Sequence, residues 1–268
     1  MPEIPDLEAI RGFLNERLPG QRIEEADVRI PVVFRVPKEE FVGTLEGNTF
    51  GKTTRTGKFL LFALKSGHLL VINAMLTGRF SYVEPDAKMP AKTCLALRLK
   101  NGKQLRYRDD RLMGKVYLVK KDRLMNVPQF PDMGPDALVV SEEEYAQRIR
   151  KFTGQIKNIL VNHKFVAGVG NAYADEILFA AKLHPYRKRT TLKDEDLSRL
   201  YHAMRKVFDW ATPIVAAQMQ DELNYEERRD FLKIHRKGGE PCPVCGTRIS
   251  EITAGQRITD FCRNCQPG

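Results

Sequence analysis

Four cysteines in two pairs, Cys242-x2-Cys245 and Cys262-x2-Cys265 with sixteen residues between the pairs, constrain this chain more than any other feature. Two such pairs supply four thiolates for one tetrahedral zinc ion, and each pair is expected at the tip of a β-hairpin. A chance cluster of reduced thiols is the competing interpretation. From Gly238-Gly239 onward the chain is rich in turn residues and too short to bury a core, so a metal is expected to supply its folding free energy. The segment holds no histidine and no evident fifth ligand, which makes the zinc structural and coordinatively closed rather than catalytic. Arg248, Arg257 and Arg263 lie in the same segment. Their guanidinium groups suit phosphate contacts, with solvated surface arginines as the alternative. The fifth cysteine, Cys94, stands in an apolar strand-like run and is expected to be a buried thiol. This usage points to metal binding in a reducing compartment, not to a disulfide scaffold.

An excess of 44 Lys and Arg over 34 Asp and Glu leaves a net charge of +10, which draws the chain toward polyanions. Nucleic acid is therefore the leading partner class, although basic charge alone does not establish it. The 268 residues, 42% hydrophobic and 29% charged, fit two ordinary globular domains. No run approaches the roughly 18 apolar residues of a membrane span, and the start lacks the basic-then-apolar layout of a signal peptide. The default address is the cytoplasm, and a monomer is expected.

Along the chain, Leu7, Ile10, Leu14 and Leu18 recur at helical spacing and predict a helix from Asp6 to Leu18 that stops at Pro19-Gly20. From about Arg22 to Val119 short alternating runs dominate, among them Lys58 to Leu64, Leu69 to Met75, Cys94 to Leu99 and Gln104 to Arg108, with a turn at Asn101-Gly102. They predict an all-β region, a sandwich or flattened barrel. A Pro/Asp/Gly-rich stretch from Pro128 to Asp136 reads as a linker. Helices are then expected from a capping box at Ser141 and Glu144, near Gln155 to His163, over Ala172 to Ala181 and over Asp196 to Ala217. The expected fold is α+β. An N-terminal β-sandwich domain with a leading helix occupies residues 1–130, a helical domain residues 131–236, and the four-cysteine zinc finger residues 237–268.

Two further motifs carry chemistry. Between Lys164 and Glu176, Gly168 and Gly170 precede an apparent helix start, where free N–H groups bind phosphate well; an ordinary tight turn would look the same. At the N-terminus, Met1 precedes the small residue Pro2 and is expected to be removed, leaving a secondary amine. A free α-amine titrates near 7.7 to 8.0, and the positive end of a helix starting beside it lowers that value, so the amine is nucleophilic at neutral pH. Attack on a sugar C1′ would expel a base and leave an iminium that acidifies the C2′ proton.

Taken together these features resemble the formamidopyrimidine-DNA glycosylase and endonuclease VIII family over the whole chain. Pro2-Glu3-Ile4-Pro5 is similar to its N-terminal signature, Gly57-Lys58-Phe59-Leu60-Leu61 to its lysine-bearing β-turn, and Met75-Leu76-Thr77-Gly78-Arg79 to its intercalating loop. Gly168 to Glu176 is similar to the helix–two-turn–helix segment, followed by His184-Pro185; Gly255-Gln256-Arg257-Ile258-Thr259, leading into Phe261-Cys262, is similar to the DNA-facing strand of the finger. The resemblance implies a bifunctional glycosylase and abasic-site lyase that acts on double-stranded DNA with damaged bases, and one structural zinc. It makes Pro2 the nucleophile, Glu3 the acid that assists sugar opening and Lys58 the holder of a nearby phosphate. Asn171 and Arg257 would grip phosphates flanking the extruded nucleotide, and Met75 would fill the gap in the stack. Without the resemblance, Met75 would be read as core.

Three departures from the family pattern stand out. Asp6 replaces a glutamate, one methylene longer, near the active site. Asp109-Asp110-Arg111-Leu112-Met113-Gly114 replaces an Asp-Pro-Arg-Arg-Phe-Gly type loop, so Arg111 and Met113 take the places of the base-opposing arginine and the wedging phenylalanine. Ala216 to Phe231 shows no Gly-Gly-Thr-x-Arg-Asp run, which counts against 8-oxoguanine as the preferred lesion. The alternatives are a damage-binding protein with weak catalysis, and a zinc-ribbon transcription or RNA-binding protein, which leaves the N-terminal signature unexplained.

Overall fold

A computed structural model describes every residue except 220–222, 225, 226, 228, 255 and 256. The chain forms two compact units, residues 1–131 with 212–227, and residues 132–211 with 228–268.

The first unit opens with helix α1, Ile4–Arg17. It starts two residues before the periodic leucines require because Glu3 and Asp6 form a reciprocal capping box, in which the Asp6 carboxylate accepts the Glu3 N–H at 2.7 Å and the Glu3 side chain accepts the Asp6 N–H. Ile4, Leu7, Ile10 and Leu14 face the core. Strand β1 (Ile23–Val28) and helix α2 (Lys38–Leu45) follow, then β2 (Phe50–Thr56), β3 (Phe59–Leu64), β4 (His68–Asn73), β5 (Gly78–Val83), β6 (Thr93–Leu99), β7 (Gln104–Asp109) and β8 (Lys115–Lys120). Helix α2 corrects the all-β expectation for this region. Its eight residues bury only the i,i+4 pair Phe41 and Leu45, too little periodicity to register in the sequence.

One antiparallel sheet runs β2-β3-β4-β8, and the other β1-β6-β7-β5-β9, where β9 is Leu223–Asn224. Phe62 of the first sheet lies 6.1 Å from Phe80 of the second, and Phe80 lies 5.3 Å from Tyr107, so the interior is a sandwich core as the alternation implied. The β6–β7 turn uses Gly102 at φ +82°, as its Asn-Gly sequence predicts. Arg106 of β7, only 2% exposed, binds the carbonyls of Pro85 and Ala87 at 3.0 Å each and so holds the loop before β6 against the sheet.

The second unit contains α3 (Glu142–Ile149), α4 (Ile156–Leu160), α5 (Asn171–Ala180) and most of α6 (Asp194–Ala217), then β10 (Ser250–Ala254) and β11 (Arg257–Phe261). Ser141 Oγ accepts the Glu144 N–H at 3.1 Å, the cap read from the sequence. Helix α4 is shorter than its apolar pattern suggested, because two turns closed by Asn162 N–H to Ile159 and Phe165 N–H to Asn162 follow it at once. Phe179, Ile234, Ile249, Cys242 and Cys262 form the small core beneath the finger. Cys242 and Cys245 occupy a tight turn closed by the Pro241–Arg248 bridge, as expected. Cys262 and Cys265 instead lie in the turn after β11, not at a hairpin tip. Among the described residues no helix is long and apolar enough to cross a membrane.

Candidate active site and nucleic-acid interface

Within the first unit, Pro2, Glu3 and Asp6 are all buried at the N-terminal end of α1. The Asp6 carboxylate is committed to the Glu3 N–H, so the shorter side chain serves as the helix cap. In this unprocessed chain the Met1 ammonium sits 2.9 Å from Glu227, which also pairs with Arg79 at 3.2 Å. Lys58 is half-buried in the β2–β3 turn beside Gly57, whose φ of +57° explains the glycine.

Two loops rise from the sheets. Met75, between β4 and β5, is held at φ +47°, with its N–H donating to Asn73 Oδ1 at 3.1 Å; it is half-buried rather than core. Arg111 and Met113, between β7 and β8, are exposed, Met113 by 41%, and Leu112 between them has φ +54°. The fully buried Asp109 carboxylate joins the loops, accepting from Thr77 Oγ1 at 2.5 Å, the Gly114 N–H at 2.5 Å and the Arg111 N–H at 3.3 Å. Sequence reasoning did not single out Asp109; its signal was an acidic residue at a strand end, on the inward side of the β7 alternation. A Cβ at Gly114 would meet the Tyr107 hydroxyl at 1.9 Å, so the chain passes there only as glycine. Asp109→Ala is expected to cost about 3 kcal/mol, since three donors lose one buried anion. Urea denaturation measures this, and an unchanged midpoint would show that the loops stand without the carboxylate. Cys94, also buried, has its thiol pushed up to about 11 by burial and by the nearby Asp109, and is unreactive.

In the second unit, Gly168 at φ +106° and Gly170 lead into α5, whose first residue is Asn171. Asn171 Nδ2 donates to the Ile258 carbonyl of β11 at 2.8 Å, and buried Lys157 reaches the same carbonyl and Thr259 Oγ1 at 2.9 Å each. Lys157 also pairs with Asp175 at 2.6 Å; Asp175 in turn meets His235 Nδ1 at 2.7 Å, with Asp260 3.7 Å from that nitrogen. Burial, with Asp175 and Glu251 nearby, pushes the Asp260 carboxyl up to about 6, against the Arg236 N–H and His235. This buried charge cluster ties β11 to α5, and no sequence motif announced it. The ammonium already on Asp175 opposes a second metal there. Arg257 is exposed on β11, paired with Ala254; Gly255 and Gln256 lie outside the described residues, as do 220–222, 225, 226 and 228 of the Ala216 to Phe231 segment.

The four finger sulfurs lie within 4.8 Å of one another, with Cys242–Cys265 at 3.8 Å and Cys245–Cys262 at 3.5 Å. Four thiolates at about 2.3 Å from zinc stand about 3.8 Å apart, whereas a disulfide needs about 2.05 Å. The residues fit one structural zinc.

A two-sheet sandwich, a helix–two-turn–helix and a four-thiolate finger in this order define a class of DNA-processing proteins. Family models match in the same order: the formamidopyrimidine-DNA glycosylase N-terminal domain over residues 1–116, its H2TH domain over 133–221, and a zinc finger found in FPG and IleRS over 239–268. Formamidopyrimidine-DNA glycosylases of Listeria innocua and Desulforamulus reducens are 33% and 35% identical over 273 and 274 residues, which cover 99% of this chain and 100% and 99% of theirs. The Lactococcus lactis Fpg in complex with abasic-site DNA superposes with a TM-score of 0.91 at 27% identity, covering both chains completely. A complex of that protein with Fapy-dG DNA gives 0.90, covering 99% of this chain. The chain belongs to the formamidopyrimidine-DNA glycosylase family.

Proposed function

We propose that this protein excises damaged bases from double-stranded DNA and cleaves the strand at the resulting abasic site, working in the cytoplasm. Removal of Met1 frees the Pro2 imino group at the positive end of α1. The amine attacks C1′ of the sugar, the C1′–base bond breaks, and the base leaves with its electron pair and a proton. Glu3 assists by protonating the ring oxygen as the sugar opens. The cationic iminium then draws electrons from the C2′–H bond, and loss of that proton expels the 3′ phosphate by β-elimination; a second elimination expels the 5′ phosphate. Lys58 holds a phosphate near this chemistry, Met75, Arg111 and Met113 enter the duplex, and Asn171 and Arg257 hold phosphates. Zinc folds the finger and takes no part in bond making.

The observation that carries this reading is Pro2 beside a buried, capped α1 terminus with Glu3 next to it, in a chain whose relatives are named as glycosylases. Its test is borohydride reduction in the presence of an abasic-site duplex. A covalent protein–DNA adduct of stoichiometric yield is expected, while tight binding with no adduct would leave only a damage-binding protein. Binding should weaken linearly in log K against log salt, with a slope of about −0.9 per phosphate neutralised. A flat response would count against any DNA reading.

A further inference from the structure

The second unit holds a cleft of about 600 Å³ between α5, α6 and the finger, with the zinc ligand Cys265 at its finger edge. Phe179, Val207 and Trp210 are among its apolar lining, and Val244 stands at its edge 70% exposed. Its charges are unbalanced. Glu176 is taken by the N–H groups of Lys233, Ile234 and His235 at 3.1, 2.8 and 2.9 Å, and Arg199 and His202 by Asp196 and Glu142 at 2.5 and 3.1 Å. Lys182, Lys206 and Lys233 have no carboxylate partner among the described residues, and Lys233 Nζ lies 4.9 Å from the Trp210 ring centroid. An apolar floor under three unopposed ammonium groups is complementary to a segment that is acidic and carries one bulky apolar side chain.

We propose that this cleft docks an acidic peptide segment of another protein, with an aromatic or large aliphatic side chain seated over Trp210 and neighbouring carboxylates on the three lysines. Duplex DNA is the poorer fit, since a phosphate backbone has nothing to place on an apolar floor. The cleft meets α5 from Glu176 to Ala180, about 7 to 14 Å along the helix from Asn171. A bound peptide therefore leaves the phosphate-binding end of α5 uncovered. The site couples the repair protein to a partner by combining charge attraction with one buried anchor.

Trp210 is the single tryptophan of the chain, so its fluorescence reports on the cleft directly. The zinc-loaded, full-length protein is titrated with a synthetic peptide of five aspartates followed by phenylalanine. A saturable change in emission is expected, at least tenfold weaker when serines replace the aspartates or alanine the phenylalanine. The double variant Lys182→Glu, Lys206→Glu should weaken peptide binding at least tenfold, yet bind and cut abasic-site duplex as well as a charge-matched control, Lys38→Glu with Lys121→Glu. Absence of any saturable change in the wild-type protein would overturn the proposal. So would a single-stranded oligonucleotide that moves Trp210 emission at lower concentration than the peptide, or a loss of duplex binding in the cleft variant beyond that of the control, because either result would make the cleft a nucleic-acid surface.

Discussion

Pro2→Gly should lower the yield of borohydride-trapped adduct on abasic-site DNA by about 100-fold or more, with duplex affinity within about twofold of wild type. Glycine keeps an α-amine, and the difference lies in what that amine becomes. A secondary amine condenses to an iminium that stays cationic at every pH, so the electron sink for C2′ deprotonation is permanent. A primary amine gives an imine that sheds its proton near neutrality and loses that pull. The pyrrolidine ring also fixes the direction of the nitrogen lone pair just before α1, whereas the amine of glycine rotates freely beside the capped helix terminus at Glu3. Because only the unprotonated amine attacks, the wild-type single-turnover rate should rise with pH until it passes the amine pKa, ordinarily near 7.7 to 8.0 for an α-amine. Single-turnover cleavage and mass analysis of the adduct check both points. An active enzyme that retains Met1 would sink the mechanism, since Pro2 would then be an amide nitrogen.

Zinc removal, or Cys262→Ser, should produce the second large effect: loss of the finger fold and a drop in duplex affinity of about 100-fold. Cys242 and Cys262 are buried in the finger's small core with Ile249 and Phe179, so without metal the segment loses its cross-link and leaves ionisable thiols facing one another within 4.8 Å. Structural zinc contributes on the order of 10 kcal/mol or more to such folds, far beyond what this core supplies. Chelation followed by gel-shift titration, with hydrogen exchange at β10 and β11, gives the answer. A chelated protein that loses protection at β11 yet binds duplex unchanged would remove the finger from DNA recognition.

The fold was legible where one short-range pattern dominates. Helical spacing located α1, α5 and α6, alternation located the long strands, and Ser141 announced α3, because each signal is written within one or two turns of chain. Helix α2 and the brevity of α4 were hidden because a single i,i+4 pair, or a helix cut off by two successive turns, leaves little periodicity to see. Met113 and Arg111 are exposed and Met75 is half-buried; the parts assigned to them in the duplex belong to the proposal above.

Chain order and residue type alone determined the zinc ligands, the basic charge, the imino nucleophile candidate and the family likeness. Thiolate pairing and amine chemistry are properties of side chains a few positions apart, and they survive without knowledge of packing. Only the tertiary structure decided that Asp6 caps α1, that one buried Asp109 carboxylate joins the β4–β5 and β7–β8 loops, and that Lys157, Asp175, His235 and Asp260 bind β11 to α5. The Asp6 cap is a local i,i+3 contact that depends on where the helix starts, whereas the Lys157 contacts join residues about a hundred positions apart, which no local pattern records. A buried charge declares its partner only when the fold has excluded water and left it no other.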